Sequence, residues 1–141
     1  MSAVTALQAA LAAEHRAVYL YGVIGARSAH PAKPRVTKLW ERHKLRRDDL
    51  IGFLRARDAE PVTSEAAYPV PDGKTPAELG AAVESDVLTA YLPLAGAVPK
   101  ALRAYAATAM QDAMNVHVRW SRTAPANAFP GLDPAALEPD A

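Results

Sequence analysis

The 141-residue chain contains no cysteine. That excludes disulfide frameworks, thiolate metal sites and cysteine nucleophiles. Net charge is also nearly absent, at +1 near neutral pH, so no global field draws the chain to nucleic acid or an anionic surface. No apolar run approaches the ~20 residues needed to span a bilayer. The N-terminus lacks the basic segment followed by an apolar core that marks a secretory signal. A soluble, cytoplasmic protein with no membrane partner is therefore expected. There is no strand-like alternation, Gly-rich phosphate loop, zinc-type histidine cluster or Ser/His/Asp arrangement in a suitable context.

Half the residues are hydrophobic, many of them alanine, which favours helices with close-packed faces. The length suits a single domain with a sizeable core. Helix one is expected to begin after Ser2 or Thr5 and to run to about Arg27, with Thr5 and Gln8 at capping-box spacing. Its apolar face reads Leu7, Leu11, Val18 and Tyr21, and Gly22 and Gly25 leave room for a close neighbour. A short break with two prolines, residues 29–34, makes the next helix an antiparallel neighbour. Helix two is expected from Pro34 to Asp58, with Val36, Leu39, Trp40, Leu50 and Leu54 on one face, and His43 and Arg47 inside that stripe.

Residues 60–75 carry three prolines and a Pro-Asp-Gly turn signal. Extended, ~16 residues reach about 50 Å, enough to carry the chain from one end of a helical bundle to the other. Helix three opens on Thr75, Pro76 and Glu78, a strong cap signal. Its face is Leu79, Val83, Val87, Ala90 and Leu94, and Pro93 should kink or end it. Helix four is expected from Pro99 to Arg122, facing inward with Leu102, Ala106, Ala109, Ala113, Val116 and Trp120. The proline-rich tail, 124–141, has no period; Phe129 and Leu132 could pin it to the helices. The organisation is thus an all-α domain over 1–123, two antiparallel hairpins joined by one long crossover between helices two and three, followed by the 124–141 tail. One long crossover is the connectivity of ferritin-like bundles.

Within this plan Glu14 stands out. It sits in the middle of the helix-one core face, where a carboxylate is costly unless paired. The pattern Leu-x-x-x-Leu-x-x-Glu-His-x-x-x-Tyr-x-Tyr-Gly on helix one is similar to the ferritin-like superfamily. So are His43-x-x-Arg46-Arg47-Asp48 on helix two, Glu84 seven residues before Tyr91 on helix three, and the closing Ala-Phe-Pro-Gly-Leu. The chain most resembles a small, functionally uncharacterised ferritin-like domain family of high-GC bacteria, over about Leu7 to Leu132. The resemblance implies a ferritin-like four-helix bundle and the position of a di-iron or di-manganese site. Such a site takes one Glu from each of two helices and Glu-x-x-His from each of the others.

The implied ligands are Glu14, His43, Glu84 or Asp86, and Asp112 or His117. Helix two breaks the motif, because Glu41 and His43 point about 160° apart on the helical step. Helix four breaks it too, since Asp112 and Asn115 have the spacing but Asn replaces His. Arg47, one turn from His43, keeps its charge and would pair with Glu14 or Glu84 while repelling metals. A degenerate site is therefore expected, with no cofactor and a buried network of Glu14, His43, Arg47 and Glu84. His15 is expected at the surface, and the tyrosines as core or hydrogen-bonding aromatics.

From Lys33 to Arg57 nine basic residues face Glu41, Asp48 and Asp49. A solvated helix face is the expected meaning, with anion or nucleic-acid binding as the sharper alternative. Three readings of function follow. The first is a metal-free structural or partner-binding module, as a homodimer or with another protein. The second is a di-iron or di-manganese oxidase or storage protein with altered ligands. The third is an anion binder acting through helix two. Whether the chain is an enzyme is left open.

Overall fold

The computed structural model of the protein describes residues 1–123. Phe129, Leu132 and the rest of the 124–141 tail lie outside the described residues. Four helices occur: α1 (Ala3–Ala26), α2 (Lys33–Arg55), α3 (Pro76–Ala95) and α4 (Lys100–Ser121). There is no strand among the described residues. Each helix buries one stripe in a shared core, including Leu7, Leu11 and Ile24 of α1, Val36, Leu50 and Leu54 of α2, Leu79, Val87 and Leu94 of α3, and Leu102, Ala106 and Val116 of α4. Val18 is only half-buried, and Ala17 takes the core position beside it.

The helix ends follow from local chemistry. Ser2 caps α1 by accepting from the Thr5 backbone N–H at 3.1 Å, so the expected Thr5–Gln8 capping box is not formed. Thr75 caps α3 with both halves of the Thr75–Glu78 box, at 3.1 and 3.3 Å. Pro93 sits inside α3, which continues to Ala95. Its missing N–H falls in the last turn, where little helix remains to be broken. α2 ends at Arg55, three residues short of the expected Asp58, which adopts a left-handed φ of 55°.

Paired contacts fix the helix directions. Glu14 meets Tyr91 while Tyr21 meets Glu84, so α1 and α3 are antiparallel. Gly25 meets Val36 and Glu14 meets His43, so α1 and α2 are antiparallel. Ala81 meets His117 and Gly80 meets Trp120, which sets α3 against α4 in the same way. α2 and α3 therefore run in the same direction, and the chain between them must travel back along the helices. α2 and α4 meet through side chains, with Tyr105 donating to Asp49 at 2.9 Å and its ring set edge-on to Phe53.

The returning segment is held to α1 by polar side chains. Gln8 donates from Nε2 to the Glu60 carbonyl and accepts from the Val62 N–H, both at 2.8 Å. His15 Nε2 donates to the Val62 carbonyl at 2.8 Å. His15 is therefore buried, not at the surface as expected, because the crossover covers that side of α1. Gln8 serves this strap and not the helix cap.

One glycine is required by packing. A Cβ at Gly80 would lie 2.5 Å from the Trp120 indole, well inside van der Waals contact. The indole can yield that space only by swinging off the Tyr21 hydroxyl it bonds or by moving α4. Gly80→Ala should therefore destabilise the fold by about 1–2 kcal/mol, the overpacking penalty less the ~1 kcal/mol that alanine gains over glycine in a helix. Urea denaturation checks this, and unchanged or raised stability would refute it.

Candidate functional site

The core carries polar side chains at one level, where α1, α2 and α3 come together. Glu14, His43 and Glu84 are each no more than 1% exposed. His43 lies between the two carboxylates. Its Nδ1 donates to Glu14 Oε2 at 2.6 Å and its Nε2 to Glu84 Oε1 at 2.9 Å. With both ring nitrogens donating, the ring is an imidazolium. Burial alone would depress the His43 pKa, but Glu14 and Glu84, by charge and hydrogen bonding, outweigh it and raise the value to about 9. The cation between two carboxylates compensates the desolvation that would make either carboxylate alone prohibitive.

Two tyrosines complete the cluster. Tyr21 donates to Glu84 Oε1 at 2.5 Å, and Tyr91 donates to Glu14 Oε1 at 3.0 Å. The exchange is reciprocal. Each helix carries a glutamate seven residues before a tyrosine, about two helical turns, and α1 and α3 are antiparallel, so each tyrosine reaches the other helix's glutamate. The Tyr21 ring also stacks on His43, with centroids 5.1 Å apart. Burial, followed by the charge of the neighbouring glutamate, raises the pKa of both phenols, so both stay donors. Trp120 of α4 extends the chain of bonds, donating from Nε1 to the Tyr21 hydroxyl at 3.1 Å.

The remaining predicted site residues are elsewhere. Arg47 does not join the network; it is part-exposed and bonds its neighbour Asp48 at 2.9 Å. The inward arginine is Arg46, one of the nine basic residues expected on a solvated face, whose buried guanidinium donates to Asp112 of α4 at 2.5 Å. Arg46 and Arg47 flank the His43–Leu50 line on opposite sides, and packing against α4 turns Arg46 inward. Of the two acidic candidates on α3, Glu84 faces the core, while Asp86 is 52% exposed and pairs with Arg16 of α1. His117 donates from Nδ1 to the Ala81 carbonyl at 2.9 Å and does not reach the cluster.

The donor set does not fit a dinuclear metal centre of the Glu and Glu-x-x-His kind. Two carboxylates and one imidazole converge, against the four carboxylates and two imidazoles such a centre takes. Both imidazole nitrogens are already committed. Among the described residues no group of three or more His, Asp or Glu side chains is arranged to hold a metal ion. α4 contributes an indole donor where that kind of centre has ligands.

Tyr21 and Tyr91 are hydrogen-bonding core aromatics as expected; their glutamate partners were not identified from sequence, although a signal existed: Glu14 to Tyr21 and Glu84 to Tyr91 share one spacing. Trp120 carried no such signal, since its reach depends on the bare surface of Gly80.

Among the described residues no helix is long and apolar enough to cross a membrane. No curated protein matches the chain. A crystal structure of a conserved hypothetical protein, rv2844, from Mycobacterium tuberculosis is similar, with 32% identity and a TM-score of 0.79. The match covers 84% of this chain and 93% of that one. A family profile described as "Domain of unknown function (DUF4439)" matches residues 6–134. The chain therefore belongs to the DUF4439 family, to which no specific role is attached.

Proposed function

We infer that the protein is a ferritin-like four-helix bundle whose metal position is taken over by the Glu14–His43–Glu84 ion network, and that it acts as a structural or partner-binding module. The helix directions and the single long return between α2 and α3 support the ferritin-like topology. The observation that carries the functional reading is His43. It lies between two carboxylates at 2.6 and 2.9 Å as their counter-cation, and only two carboxylates and one imidazole converge where a dinuclear centre takes four carboxylates and two imidazoles. A buried polar set of this kind adds little net stability over an apolar core, but it penalises every misaligned packing of the helices. As a module the protein meets a second copy or another protein. Ala101, Ala104 and Ala107 on the outer side of α4, and Leu45 at 66% exposure on α2, offer small and apolar surface for that contact.

Metal analysis and ferrous iron titration of the purified chain, repeated on Glu14→Ala, test this reading. The expected result is no stoichiometric iron in either protein and a loss of about 3 kcal/mol of stability in the variant. Stoichiometric iron in the natural chain that disappears in the variant would instead establish a carboxylate metal centre.

A further inference from the structure

Between α1 and α2, toward the end where Gly25 meets Val36, a pocket of about 190 Å³ opens. Its α1 wall is Tyr21, Gly22 and Gly25; Val36, Lys33 and Trp40 of α2 face it. The glycines differ from Gly80. A Cβ at Gly22 would meet nothing within 4 Å, and one at Gly25 would make only an ordinary contact with Val36 at 3.7 Å. Helix packing does not demand either glycine; together they leave one wall of the pocket bare. The opposite wall carries one charge, the Lys33 ammonium, which has no ion-pair partner among the described residues; no acidic residue lines the space. The Trp40 indole Nε1 is enclosed and has no hydrogen-bond partner among the described residues. An enclosed donor without an acceptor is unfavourable, and a native fold usually supplies one.

We propose that this pocket binds a small aromatic monocarboxylate. The size admits a single ring, since a cavity of about 150 Å³ accommodates benzene. The ring lies on the bare glycine wall between Tyr21 and Val36. The carboxylate takes the Lys33 ammonium as its counter-charge and accepts from the Trp40 N–H once the indole has turned toward it. The site is separate from the Glu14–His43–Glu84 network, although the back of its floor, the Tyr21 ring, is the one stacked on His43.

Benzoate is the probe, titrated into the full chain by calorimetry and followed by tryptophan fluorescence. One saturable site per chain is expected, with benzyl alcohol and acetate each roughly tenfold or more weaker, because each lacks one half of the recognised ligand. Gly22→Leu fills the open space with a good helix former and should abolish binding while the chain stays folded. Lys33→Met should weaken binding roughly tenfold or more, and Trp40→Phe should remove the fluorescence response while Trp120 still reports the fold. The proposal is overturned if benzoate shows no saturation, if benzyl alcohol binds as tightly, or if Gly22→Leu binds as well as the natural chain.

Discussion

His43→Ala is expected to lower the unfolding free energy by about 3–5 kcal/mol, the range for breaking a buried ion pair by removing one partner. The variant leaves Glu14 and Glu84 facing each other across an apolar core with no cation between them, and it removes the ring on which Tyr21 stacks. Guanidinium denaturation near neutral pH measures the loss. A change below about 1 kcal/mol would mean that His43 is not the compensating cation. The matching experiment replaces the whole cluster: Glu14→Met, His43→Leu, Glu84→Met, Tyr21→Phe and Tyr91→Phe. Only the part-buried Trp120 indole N–H then loses its acceptor, and stability should return to within about 2 kcal/mol of the natural chain or exceed it. The contrast between the two variants separates the penalty of an unpaired charge from the net worth of the network.

The second large effect is with pH. The folded protein holds the His43 pKa at about 9, above its ordinary 6.5, so folding favours the protonated ring. The stabilisation is complete below about pH 6.5, falls as pH rises toward 9 and is lost above it, an effect on the order of 3 kcal/mol. Denaturation curves taken from about pH 6 to about pH 10 should show this decline, and the five-site apolar variant should lack it. Equal slopes in the two proteins would assign the pH dependence to other groups.

The sequence exposed the scaffold better than the side-chain geometry. Helix limits came from caps and prolines, which act locally, so Thr75–Glu78 and the long proline-rich return could be read directly. Glu14 was visible because a carboxylate on a core face violates the pattern around it. His43 followed because it lies seven residues before Leu50 on the same stripe. The arginines could not be resolved this way. Arg46 and Arg47 sit on either side of that stripe, and the position of α4, which no spacing within α2 encodes, decides which one is buried. The same limit applies to α3. Leu79, Val83, Val87 and Leu94 are buried as expected, but the stripe is broader than that spacing: Gly80, Glu84, Leu88 and Tyr91 are buried too, while Ala90 is only half-buried. His15 and Gln8 were misjudged for a related reason, since their partners belong to a crossover whose path is set by long-range contacts.

The reciprocal exchange between α1 and α3 also bears on how the two halves of the chain recognise each other. The first hairpin, α1 with α2, supplies Glu14, Tyr21 and His43; the second, α3 with α4, supplies Glu84, Tyr91 and Trp120. Of the five hydrogen bonds joining these residues, only Glu14–His43 lies within one hairpin. Each hairpin taken separately is an incomplete charge pattern, one holding a carboxylate with its cation and the other a lone carboxylate. They match at a single axial setting. Sliding one hairpin by a helical turn, about 5.4 Å, would part every bond that crosses between them. The cluster is in effect an interface inside one polypeptide, with the alignment rules of a two-subunit complex written into six side chains.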